Sequence, residues 1–86
     1  MEYIAIAFRS RAHTMKFYQL LTANGVYAQI VNTPKEAGVG CGLSAKISPS
    51  SLVYAKKVLS KSGLNSFAGI FSVKELGSVR SVRSIS

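Results

Sequence analysis

Strand, helix, strand, strand, helix, strand is the order this sequence predicts. That order describes an α+β ferredoxin-like βαββαβ sandwich, a four-stranded antiparallel sheet with two helices on one face. Three observations carry the prediction. Short apolar runs rich in strand formers alternate with two stretches of helical spacing, each opened by a serine and closed by a glycine. The chain has 86 residues, which suits one domain with one modest core. The described pattern is used up by about residue 76, where composition changes to a basic, serine-rich end.

The first strand is Tyr3 to Phe8, with Ile4, Ile6 and Phe8 pointing one way and Tyr3, Ala5 and Ala7 the other. Ser10 is an N-cap for a helix over residues 11–24. Thr14, Phe17, Tyr18 and Leu21 share its inner face, Lys16, Gln19 and Ala23 lie opposite, and Asn24-Gly25 stops it. Val26 to Asn32 reads as the second strand, with Val26, Ala28 and Ile30 on one face. Thr33-Pro34-Lys35-Glu36-Ala37 breaks the pattern and leads into Gly38-Val39-Gly40-Cys41-Gly42. Leu43, Ala45 and Ile47 alternate with Ser44 and Lys46 in a half-buried third strand. Ser48-Pro49 starts the second helix, whose Leu52, Ala55, Val58 and Leu59 face inward while Lys56, Lys57 and Lys61 face water. Ser62-Gly63 ends it, and Phe67 to Val73 is the fourth strand.

The expected organisation is therefore a domain over 1–76 and a flexible tail over 77–86. Valine, arginine and serine repeat in that tail with a period of three, which suits neither helix nor strand. With two helices on one face, the other face of the sheet is expected to be open and to show Tyr3, Ala5, Ala7, Tyr27, Val31 and Ser44. Such a surface invites a second copy, as a homodimer, or another partner protein.

Eleven Lys and Arg against three acidic residues, Glu2, Glu36 and Glu75, leave a formal charge of +8. That field attracts acidic proteins or polyanions without choosing between them. The RNA-binding version of this architecture stacks bases on aromatics of its central strands. The third strand, Gly-Leu-Ser-Ala-Lys-Ile, has none, so nucleic acid is disfavoured as a partner. One cysteine excludes an internal disulfide, one His and one Cys are too few for a metal site, and no cofactor motif is present. The glycines at 38, 40 and 42 lack the dinucleotide spacing. No membrane span or secretory leader is legible, so a cytoplasmic location is expected.

Cys41 is the chemical clue. Structural cysteines usually sit among large apolar neighbours, whereas this one is flanked by Gly40 and Gly42, which cannot shield the sulfur. The predicted topology puts the loop between strands two and three at the end of the sheet where the first helix begins. Cys41 is therefore expected near Arg9, Ser10 and Arg11. A helix start carries roughly +0.5 of a charge, and two arginines add to it. Such a setting lowers a cysteine pKa from about 8.5 towards ~7. His13 lies near the same end as a candidate base, with an ordinary solvated histidine as the plainer reading.

Phe8-Arg9-Ser10, Leu20-Leu21 with Asn24-Gly25, Thr33-Pro34 and above all Gly40-Cys41-Gly42-Leu43 resemble the Putative Se/S carrier protein-like family of small bacterial domains. The resemblance spans roughly residues 3–71. It implies a carrier protein, not a complete enzyme, in which Cys41 holds sulfur or selenium as a persulfide or selenide between donor and acceptor proteins. That family often has a small polar residue shortly before its Gly-Cys pair, where this chain has Gly38-Val39. The alternative reading is a non-catalytic binding or interaction module, ACT-like or RNA-associated, with a passive cysteine.

Overall fold

The computed structural model describes residues 1–38 and 42–85. Residues 3–8 carry no charge and alternate bulky and small side chains, and they become the middle of the sheet. Strand β1 (Glu2–Phe8) has every residue after Glu2 buried. It pairs antiparallel with β3 (Leu43–Ile47) on one side and β4 (Phe67–Leu76) on the other. Outside these lie β2 (Gln29–Asn32) against β3 and β5 (Val79–Ser84) against β4. The order is β2-β3-β1-β4-β5, with all neighbours antiparallel.

Helices α1 (Arg11–Ala23) and α2 (Leu52–Ser62) cover one face. Ser10 caps α1 by accepting the His13 N–H, and a left-handed Gly63 closes α2, both as expected from sequence. Ser48-Pro49 does not open α2 directly. A 3-10 turn over Pro49–Ser51 comes first, and the helix begins at Leu52. Ile4, Ile6 and Phe8 of β1 meet Phe17 and Leu21 of α1 and Ala55 of α2 in the main core. Each large apolar side chain fully buried there contributes about 1.5–3 kcal/mol. The Phe8 and Phe17 rings lie 5.2 Å apart at 53°. Val26 and Ala28 join this core from outside any strand, because β2 starts only at Gln29. Their alternation was real, but the backbone reaches pairing distance of β3 three residues later than expected.

The four-strand expectation and the flexible tail need correcting together. Val79–Ser84 forms the fifth strand and β4 runs on to Leu76 to meet it, in register from Leu76↔Val79 to Phe71↔Ser84. The period of three concealed this strand. In extended backbone successive side chains alternate sides, so a spacing of three puts consecutive apolar residues on opposite faces. Val82 packs beside Tyr3, Ala5 and Val73, whereas Ile85 packs into the helical core.

The second face is consequently not open. Tyr3, Ala5, Ala7 and Ser44 are all buried within the one chain, Val31 is half-buried, and only Tyr27 of the expected set stands out, at 76% exposure. A 3-10 turn over Lys35–Ala37, which follows the edge strand β2, packs against β5 at the opposite edge. Glu36 and Arg80 fasten the two with a two-pronged contact, Nη2 to Oε1 at 2.9 Å and Nε to Oε2 at 3.1 Å. The guanidinium hydrogen bonds hold the Glu36 carboxyl below its usual range. The pair therefore stabilises the fold above the ordinary carboxylate pKa and is lost only as pH falls through the depressed value. Burial pushes the Tyr3 phenol up, with the Glu75 charge as the next cause. The Lys46 ammonium lies 4.6 Å from the centre of the Tyr3 ring.

Phe71 completes this layer by lying across Gly69. At φ +154° Gly69 is in backbone space that side chains rarely adopt, and an added Cβ would stand 2.9 Å from the Phe71 ring. Gly69→Ala should therefore lower stability by about 1–3 kcal/mol, measured by urea unfolding. Deleting residues 77–86 removes Arg80, Val82 and Ile85 at once. The melting temperature should fall by at least about 5 °C, the shift that about 1 kcal/mol produces in a domain of this size. An unchanged melting temperature would mean that β5 adds nothing to the fold.

Candidate functional site

The end of the sheet where β1 stops and β3 starts is also where α1 begins. The register Ala7↔Ser44 fixes this, because it brings Leu43 level with Phe8. Thr14, buried in the first turn of α1, shares its hydroxyl proton between the Ser10 carbonyl at 3.4 Å and the Leu43 carbonyl at 3.3 Å. The start of β3 is thus tied to the start of the helix. On the other side the Gly42 carbonyl accepts the Thr33 N–H at 3.1 Å, and the Thr33 and Ser44 hydroxyls meet at 2.7 Å. Gly38 closes the 3-10 turn in a left-handed conformation, φ 68°, its N–H on the Lys35 carbonyl at 3.1 Å.

Gly38 and Gly42 are the described ends of the glycine segment. Gly40 and Cys41, two of the residues singled out from sequence, lie outside the described residues. Gly42 is exposed, as are Arg9 and Arg11, and Ser10 is half-buried at its capping position. Arg9, Ser10 and Arg11 therefore surround the helix start beside Leu43. The Ser10 and Ser66 hydroxyls take up the His13 and Ser10 N–H groups, and the partial positive charge of the helix start joins two exposed guanidinium groups to make this end of the molecule electropositive.

His13 has a more specific place than sequence suggested. Its Nδ1 lies 2.6 Å from the Ser66 hydroxyl, which also accepts the Ser10 N–H at 3.2 Å. The Ser66 carbonyl takes the Arg9 N–H at 2.7 Å. Ser66 thus holds the helix start through its backbone and its side chain. Nothing in the sequence marks it, since its partners are more than fifty positions away. Ser66→Ala should leave the Ser10 amide and His13 short of a partner and cost about 1–2 kcal/mol. Thermal unfolding measures this, and Ser66→Thr, which keeps the hydroxyl, should recover part of the loss.

Among the described residues no three His, Cys, Asp or Glu side chains are grouped to hold a metal ion. No described helix is long and apolar enough to cross a membrane. Neither the curated proteins nor the solved structures contain a significant match to the chain. Residues 2–71 match the family described as Putative Se/S carrier protein-like. That span takes in α1, the glycine segment, both faces of β1 and Ser66, all the parts that assemble this end of the sheet. The chain belongs to the Putative Se/S carrier protein-like family.

Proposed function

We propose that this protein is a carrier of sulfur or selenium and that Cys41 is its carrier thiol. The single observation behind the proposal is the family membership, which spans the Gly40-Cys41-Gly42-Leu43 stretch. The described geometry supports it. Leu43, two positions after Cys41 in the sequence, is hydrogen-bonded to the first turn of α1, which supports a part for the electropositive end of the sheet in the chemistry of the thiol.

The chemistry asks little of the fold. The Cys41 thiolate attacks the outer sulfur of a donor protein's persulfide, forming a new S–S bond on Cys41. The donor's S–S bond breaks, and its electron pair leaves with the donor cysteine as a thiolate. The outer sulfur keeps its proton, and the redox state is conserved overall. An acceptor reverses the step, and a selenium atom follows the same path in place of the outer sulfur. Only the thiolate attacks, so Arg9, Arg11 and the α1 amides contribute by favouring the anion. Gly40 and Gly42 contribute by leaving the sulfur room to meet another protein's cysteine. Donor and acceptor proteins are the implied partners, and a cytoplasmic, reducing setting suits a carrier that must keep its thiol free.

If the pKa falls from about 8.5 to ~7, the thiolate fraction at pH 7 rises roughly tenfold or more. Cys41 should then alkylate with iodoacetamide about tenfold faster than a cysteine in an unstructured peptide. The double variant Arg9→Ala with Arg11→Ala should slow it several-fold. Incubation with a persulfide donor should add one sulfur atom to Cys41, read by mass spectrometry and absent in Cys41→Ser. A pKa at or above ~8.5 with no sulfur uptake would leave Cys41 a passive residue.

A further inference from the structure

Away from the start of α1, the two helices α1 and α2 lie side by side and enclose a groove of about 350 Å³ on the outer side of the helical layer. Its floor is apolar: Val26 is buried, and Leu20 and Val58 are half-buried. Three exposed lysines rim it, Lys16 on α1 with Lys57 and Lys61 on α2. Tyr54, 61% exposed, stands at the α2 edge with the Lys57 ammonium 5.9 Å from its ring centre.

The composition of the rim is unusual for a surface of two packed helices. Exposed helices normally intersperse both signs, with carboxylates four residues from lysines. Here no acidic residue lines the groove, and neither α1 nor α2 contains one. The sole ion pair among the described residues, Glu36–Arg80, lies on the other face of the sheet. The groove therefore joins an apolar floor to a rim whose positive charge has no counterpart among the described residues. Both features are complemented by one kind of occupant, with apolar groups on one side and carboxylates on its flanks.

The geometry narrows that occupant further. A groove between two helices presents side chains and no row of free backbone donors, so a docked strand would leave its own polar groups unpaired. A helix satisfies its backbone internally and buries an apolar stripe, the usual way of filling such a groove. Lys57 and Lys61 stand one turn apart, about 6 Å along the axis, which matches carboxylates four residues apart on an opposing helix. A small molecule needs enclosure of roughly 70–90% of its surface, and this groove is only partly enclosed. Single-stranded nucleic acid needs successive aromatic platforms, and the groove has only Tyr54.

We propose that the groove between α1 and α2 docks an acidic amphipathic helix of a partner protein. Its apolar stripe seats on Leu20 and Val58, and its carboxylates flank Lys16, Lys57 and Lys61. No residue of the glycine segment lines the groove, so this docking surface goes beyond the carrier reading and does not depend on it.

The test uses the full chain and a fluorescein-labelled synthetic peptide of about 18 residues, long enough to form a helix on binding. Leucines spaced three and four apart form one stripe, with glutamates beside it. A scrambled peptide of the same composition destroys the stripe. Fluorescence anisotropy at low salt should show the patterned peptide binding at least about fivefold more tightly than the scrambled one. Lys57→Glu with Lys61→Glu should weaken it about tenfold or more, which is about 1.4 kcal/mol. Lys16→Glu, on the other helix, should weaken it independently, and Cys41→Ser should leave it unchanged. Circular dichroism of each variant confirms that these exposed substitutions leave the fold intact. Equal affinity for both peptides would overturn the proposal. So would lysine variants that bind as well as the parent, or a single-stranded DNA oligonucleotide displacing the patterned peptide at a matching concentration.

Discussion

Strand β1 has no face to give to water, and the rest of the structure answers that constraint. Its six residues from Tyr3 to Phe8 are all buried, and they carry bulky side chains on the helical side and mostly small ones on the other. Paired on both edges by β3 and β4, it can be accommodated only between two covering layers. A strand buried on both faces is more typical of parallel sheets packed between helices than of antiparallel ones. Here two helices cover one face, and the second is closed by the turn at Lys35–Ala37 and by β5.

The two covers differ in kind. The helical side is a conventional apolar core, with Phe8, Phe17, Ile6 and Leu21 fully enclosed. The second side is thin. Ala5 and Ala7 leave little height above the sheet, the end of the Phe71 ring comes close to Gly69, and one exposed ion pair joins the turn to β5. Such a layer has few apolar contacts, and its stability rests more on backbone pairing than on packing. The turn at Lys35–Ala37 is closed by Gly38, so closing the second face also anchors the first residue of the glycine segment.

Helix α1 contributes to both proposed surfaces. Its first turn, through Ser10, His13 and Thr14, is tied to Ser66 and Leu43 and forms the electropositive end of the sheet. Its later turns supply Lys16 and Leu20 to the groove against α2. The supporting residues of the proposed carrier site and those of the proposed docking surface thus come from different stretches of one helix. Under both proposals, a partner held in the groove would leave the start of α1 uncovered.

Local signals determined much of this protein from the sequence alone. The Ser10 cap, the Asn24-Gly25 and Gly63 stops, the inner faces of both helices and the alternation of β3 depend on neighbours a few residues away. Gly40-Cys41-Gly42 likewise marks a candidate thiol by its immediate flanks. Long-range packing decided the rest. β5 became a strand because β4 extends to meet it, and its period of three serves two faces at once. The second face closed because Glu36 reaches Arg80 across 44 positions. Ser66 entered the candidate site through partners 53 and 56 residues away. Position along the chain encodes which side of an element a residue takes. Which distant segment then covers that side is set by the shape of the whole sheet.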